Sequence, residues 1–228
     1  GVLEDSFFHI SDEPRLDHLE TYRALWRFVK PMLRGRPIMD AISNVDFYKH
    51  GLIDIPVSAT DHIEPFLREP VENQWVYYCC GEYKAVGNRF LAFPEYRNRI
   101  LGVQLFKFGI KGFLQWGYNF YHTDRSLYVI DPYLTSSSDG MVPSGDPFSV
   151  YPGKNGPVAS LRALNFKDAL QDVDILKALA QRTSHEHVVE LIEKLAGMEI
   201  RFDKYPRNYE FIPALMDAVR QELEAGTC

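Results

Sequence analysis

Phe7-Phe8-His9-Ile10-Ser11-Asp12-Glu13-Pro14 is the stretch on which the reading of the whole chain turns. Phe7 to Ile10 has the length and apolar character of a short buried strand, and Pro14 ends it. Two carboxylates, Asp12 and Glu13, follow just past its C-terminal end. In (β/α) barrels that position carries the reactive groups. The competing reading is that Asp12, Glu13 and Pro14 merely open the next helix, since Asp caps helices and Pro suits a first turn. A better helix start lies further on, where Asp17 and Glu20 form a capping-box pattern ahead of Leu19, Tyr22, Leu25, Trp26 and Val29. The pair at 12 and 13 is therefore left over from helix formation.

Outward from this stretch, strands are predicted at about 7–10, 37–43, 53–58, 74–80 and 113–119, with helices at about 17–33 and 94–108. The alternation of strand and helix implies an α/β fold with about five parallel strands, part of a TIM-type (β/α) barrel. Five strands do not close an eight-stranded barrel, so the chain reads as part of a longer protein. Residues 121–156 form a long loop rich in Ser, Gly, Asp and Pro, anchored by Phe148, Val150 and Tyr151. Helices follow at about 159–182, 185–196 and 209–224, stopped by Gly197 and Gly226. The predicted organisation is thus 1–156 for the barrel portion with its loop, and 157–228 for a helical segment of the same domain.

The 228 residues are 46% hydrophobic and carry a formal net charge of -6, with a pI near 5.7. This describes a globular chain and argues against a nucleic-acid partner, as no run of Lys and Arg makes a basic stripe. No apolar run is long enough to span a bilayer, so no membrane partner is expected. The three cysteines, Cys79, Cys80 and Cys228, form neither a disulfide framework nor a metal site. They favour a reducing, cytoplasmic setting. No cofactor is called for. A partial barrel exposes strand edges, which makes a homo-oligomer through that edge an expectation.

Candidate binding groups are aromatic. Gly112-Phe113-Leu114-Gln115-Trp116-Gly117-Tyr118-Asn119 offers a stacking ring, a hydroxyl and an amide, and Gly117 within it suggests a bulge or a close backbone approach. His62 and Glu64, in the loop after the third strand, are better read as solvated. His185 and His187 lie two apart on a helix and face different ways, so they are surface or cap residues. Two adjacent carboxylates in a partly dry site do not both ionise readily, which leaves one to donate a proton while the other stays anionic. Glycoside hydrolysis requires that division of labour.

Taken together, His9-Ile10-Ser11-Asp12-Glu13-Pro14, Trp75 to Gly81, Gly112 to Asn119, Tyr151-Pro152-Gly153 and Ser160-Leu161-Arg162 resemble, in that order, glycoside hydrolase family 123 and its relatives over about residues 6–180. The resemblance implies a barrel catalytic domain entered here at about its fourth strand. It further implies exo removal of β-linked N-acetylgalactosamine by substrate-assisted, retaining catalysis, with a carbohydrate or glycoconjugate as substrate. Carried over residue by residue, Glu13 is the general acid and later the base, and Asp12 orients the substrate's acetamido group. Trp116, Tyr118 and Asn119 line the sugar pocket, Tyr77 or Tyr78 offers a hydroxyl to the acetamido oxygen, and His9 belongs to the binding set. The sequence departs at Phe166-Lys167-Asp168-Ala169, where relatives usually carry Arg-Asp-Gly, which bears on helix packing. The alternative is a non-catalytic carbohydrate-binding or structural module.

Overall fold

A computed structural model describes residue 2 and residues 4–225. Cys228 and the Gly226 helix stop lie outside the described residues. In chain order the regular elements are α1 (Leu19–Val29), β1 (Met39–Ile42), α2 (Asp46–Lys49), β2 (Ile55–Ala59), α3 (Glu64–Leu67), β3 (Trp75–Tyr77), α4 (Tyr96–Lys107), β4 (Gly112–Leu114), β5 (Val150–Gly153), β6 (Gly156–Ala159), α5 (Leu161–Arg182), α6 (His185–Ala196) and α7 (Phe211–Ala225). The chain divides into two compact units, residues 1–78 with 110–114, and residues 79–109 with 115–228.

The first unit is built on a four-stranded parallel sheet in the order β1-β2-β3-β4. Met39 pairs with Ile55, Val57 with Trp75 and Trp75 with Gly112. All four residues of β1 are buried, as expected of strands covered on both faces. Gly112 is required at its place, because a Cβ there would lie 2.2 Å from the Trp75 indole. The sheet is mixed with helices in an α/β arrangement, but it is open, and the described residues form no closed barrel.

The predicted strand at 7–10 is reduced to one parallel bridge, Phe8 with Ile38. Phe7 is exposed and its neighbours are only half-buried. The cause is local. Phe8 exchanges backbone bonds with Pro37 and Met39, but the next amide on that side, Ile10 N–H, donates to the Asp40 carboxylate at 2.9 Å instead of to a carbonyl. A side chain thus replaces the ladder and peels the segment away. β4 likewise stops at Leu114, so the predicted run to 119 ends five residues early.

In the second unit, α4, α5, α6 and α7 enclose a core of Ile100, Val103, Phe106, Leu176, Leu179, Val188, Ile192, Leu215 and Val219. Ser160 and Ser184 cap α5 and α6 through their hydroxyls, and Gly197 ends α6 at φ 64°. A Cβ on Gly102 would stand 2.2 Å from the Ala169 carbonyl oxygen, so the bare glycine lets α4 and α5 touch backbone to backbone. Ala169 is fully buried in that contact. The segment predicted as loop from 121 to 156 ends in a feature not foreseen, the antiparallel hairpin β5–β6 with Tyr151 opposite Val158.

Candidate active site

In the first unit Asp12 and Glu13 are both exposed. The Glu13 amide donates to the Ala41 carbonyl of β1 at 3.1 Å. Its carboxylate accepts a hydrogen bond from the Tyr77 hydroxyl at the end of β3. Glu13 is thereby held at its backbone and at its side chain over the carboxyl edge of the parallel sheet. It also adopts φ 43°, a left-handed conformation that costs a non-glycine residue about 1 to 2 kcal/mol. Strain of this kind persists only where surrounding contacts enforce it, and it concentrates at functional sites.

Asp40 organises the approach to this pair. Its buried carboxylate accepts from the Tyr22 hydroxyl and from Ile10 N–H at 2.9 Å, and it lies 2.5 Å from His9 Nδ1. Burial pushes the Asp40 pKa up, against the pull of Tyr22, the backbone amides and His9. Burial and the neighbouring carboxylate push Tyr22 up as well. His9 thus has its Nδ1 occupied by Asp40 and keeps a half-exposed ring. Tyr77 spends its hydroxyl on Glu13. Tyr78 is 1% exposed, with its ring edge-on to Phe113 at 4.8 Å. Thr60, which the sequence did not single out, follows β2 and donates its amide to the Tyr77 carbonyl at 3.0 Å. Its own hydroxyl is buried without a partner.

In the second unit, Trp116, Tyr118 and Asn119 share one segment. Tyr118 and Asn119 are exposed and Trp116 is half-buried, its indole 5.5 Å from the Phe120 ring. The segment runs antiparallel to residues 147–149. Phe120 N–H donates to Pro147 O at 3.0 Å, Ser149 N–H donates to Tyr118 O at 2.9 Å, and Asn119 pairs with Phe148. Gly117 sits against Pro147, where a Cβ would come within 2.7 Å of the carbonyl oxygen.

The other histidines singled out in the sequence have structural partners. His62 Nδ1 lies 2.6 Å from Asp61, His185 Nε2 lies 3.1 Å from the Phe106 carbonyl, and His187 pairs with Glu222 at 2.7 Å. Among the described residues no group of three or more His, Cys, Asp or Glu is arranged to hold a metal ion. No helix of the described residues is long and apolar enough to cross a membrane.

The first unit thus carries a strained, tyrosine-bound glutamate at the carboxyl edge of an open parallel sheet. The chain matches the model of the glycoside hydrolase 123 catalytic domain over residues 1–179, and it belongs to that family. Among solved structures it is similar to a family 123 glycoside hydrolase from Clostridium perfringens, analysed for glycolipid glycan hydrolysis, with 17% identity and a TM-score of 0.64. The match covers 96% of this chain and 40% of that one. The chain therefore spans 40% of the length of that solved protein, and the likeness is one of fold. No curated protein sequence matches it.

Proposed function

We propose that this chain carries the acid pair of a glycoside hydrolase releasing a β-linked N-acetylhexosamine, N-acetylgalactosamine in particular, by substrate-assisted retaining catalysis. Its parallel sheet is read as a portion of a TIM-type (β/α) barrel, with residues 1–156 the barrel portion with its long loop and 157–228 a helical segment of the same domain. The observation that carries the reading is Glu13: strained, and held by Ala41 and by the Tyr77 hydroxyl at the carboxyl edge of the sheet. A residue that only opened a helix would need neither the strain nor the tyrosine.

In the proposed sequence the Glu13 carboxyl gives its proton to the glycosidic oxygen as the bond from C1 to that oxygen breaks. The substrate's acetamido oxygen attacks C1 from the opposite face and closes an oxazolinium ring. Asp12 accepts the acetamido N–H, orienting the group and offsetting the positive charge that develops on it. Water then attacks C1 and surrenders a proton to the Glu13 carboxylate, the ring opens, and the sugar leaves with its configuration retained. The enzyme forms no covalent bond, which sets this route apart from the two-carboxylate displacement of most retaining glycosidases. Trp116, as a stacking ring, and Tyr118 and Asn119, as hydrogen-bonding groups, are the sugar-contacting residues proposed for the second unit, and His9 and Tyr77 those proposed for the first; Tyr78, 1% exposed, is too buried to join them. The glycolipid substrate of the clostridial protein makes a glycoconjugate a reasonable natural substrate here.

The test separates turnover from binding. Glu13→Gln is expected to keep N-acetylgalactosamine affinity within about threefold while hydrolysis of a β-N-acetylgalactosaminide falls by two to four orders of magnitude, the range of general acid effects. Binding with no hydrolysis in the parent protein either would instead favour a carbohydrate-binding module.

A further inference from the structure

Arg89 and Asp146 lie 57 residues apart in sequence and meet in the interior of the second unit, at 3% and 0% exposure. One guanidinium nitrogen, Arg89 Nη2, donates to the Gly117 carbonyl at 3.2 Å and to the Asp146 carbonyl. The same nitrogen lies 3.9 Å from Asp146 Oδ1. Arg89 is itself fixed from behind, because its amide donates to the Asn88 side chain at 2.7 Å. Asn88 in turn donates to the Cys79 and Glu82 carbonyls at 2.9 and 2.8 Å. The guanidinium therefore clips together two backbone segments that already run antiparallel, 116–120 and 146–149.

We propose that Arg89 and Asp146 are positioning residues for sugar binding, holding the Trp116–Asn119 segment in the shape that receives the ligand. The inference rests on the reading of Trp116, Tyr118 and Asn119 as the sugar-binding set. A buried guanidinium that bonds two carbonyls fixes their spacing, and a ring and an amide one and two residues from Gly117 move with it. Asp146 supplies the counter-charge that makes a buried Arg89 tolerable. Burial raises the Asp146 pKa to about 6, against the pull of the Arg89 guanidinium and the Trp116 indole N–H, with Glu82 adding to the rise. Cys80 is the other titratable group that senses this carboxylate.

The experiment measures kcat and KM for 4-nitrophenyl β-N-acetylgalactosaminide, and inhibition by N-acetylgalactosamine, in the intact protein and in Asp146→Asn, Arg89→Lys and Trp116→Ala. The positioning role raises KM and the inhibition constant by roughly tenfold in Asp146→Asn, with kcat within about twofold. It also makes the wild-type KM climb between pH 7 and 5, as Asp146 gains its proton, while the KM of Asp146→Asn stays level. Arg89→Lys, which keeps the charge but loses the planar fork, falls between the two and supplies the comparison if Asp146→Asn does not fold. If Trp116→Ala raises KM and neither Asp146→Asn nor Arg89→Lys does, the positioning role is overturned and the sugar-binding role of Trp116 stands. If Trp116→Ala leaves KM unchanged, both fall together.

Discussion

The Tyr77 hydroxyl donates a hydrogen bond to the Glu13 carboxylate, joining the end of β3 to a residue 64 positions earlier in the chain. The bond links a rigid sheet to a strained backbone position, and it fixes the direction in which the Glu13 carboxyl points. Tyr77→Phe keeps the ring that fills this buried place and removes the hydroxyl. A hydrogen bond to a charged group contributes about 1.5 to 3 kcal/mol. The expected result is a loss in kcat/KM of roughly ten- to a hundredfold with the thermal midpoint lowered by only a few degrees, read from steady-state kinetics beside a melting curve.

Asp12 has a different task from Glu13, and its replacement should discriminate between substrates. Asp12→Asn is expected to slow hydrolysis of a β-N-acetylgalactosaminide by about a hundredfold or more, on the scale of one lost electrostatic group at a developing charge. Any slow turnover of the matching 2-hydroxyl galactoside should fall far less, because that substrate has no acetamido group to orient. Equal losses on the two sugars would remove the assisted route.

Asp146 makes stability depend on pH in a direction that can be worked out. Its folded pKa of about 6 lies above the ordinary value near 4, so between those two values the folded protein binds more protons at this site than the unfolded chain. Stability from this group is therefore greatest below about pH 4 and declines as pH rises through about 6. The full difference is of order 3 kcal/mol. Urea unfolding at pH 4, 5, 6 and 7 should show Asp146→Asn gaining on the wild type as pH rises, with the gap levelling off above about 6.5.

Gly102 offers a test of the helix packing. Alanine is the better helix former by about 1 kcal/mol, so on propensity Gly102→Ala should stabilise the protein. Its Cβ, however, would meet the Ala169 carbonyl at 2.2 Å, and neither backbone can give way cheaply. We expect a net destabilisation of about 1 to 3 kcal/mol, measured as a lower denaturant midpoint.

The sequence was most legible where one residue's conformation depends on near neighbours. The ranges read for α5 and α6, with Gly197 as the stop, fall within two residues of the helices themselves. The buried runs at 39–42, 55–59 and 75–77 are strands because β-rich apolar segments have few other uses. Two of the misreadings arise where a side chain takes over a backbone bond. Asp40 claims the Ile10 amide and dissolves the first strand. The Glu82 carboxylate accepts from Cys79 N–H at 2.5 Å, just past the end of β3, which stops at Tyr77 rather than at Cys80. The hairpin β5–β6 was hidden because Pro152 and Pro157, which argue against a central strand, face each other in a two-stranded ribbon. At the candidate site the acid pair was visible from its own neighbours. Thr60, Arg89 and Asp146 were not, since only the folded chain brings them to their partners.

The central claim is that Glu13 is the proton donor to the departing oxygen, and leaving-group dependence tests it most directly. Hydrolysis by the wild type and by Glu13→Gln should be compared on two β-N-acetylgalactosaminides, one with a sugar aglycone and one with 4-nitrophenol, which departs with little need of a proton. The account predicts a loss of about a thousandfold or more on the sugar aglycone and a loss at least tenfold smaller on 4-nitrophenol. Equal losses on both substrates, or undiminished turnover of the sugar aglycone by the variant, would contradict it.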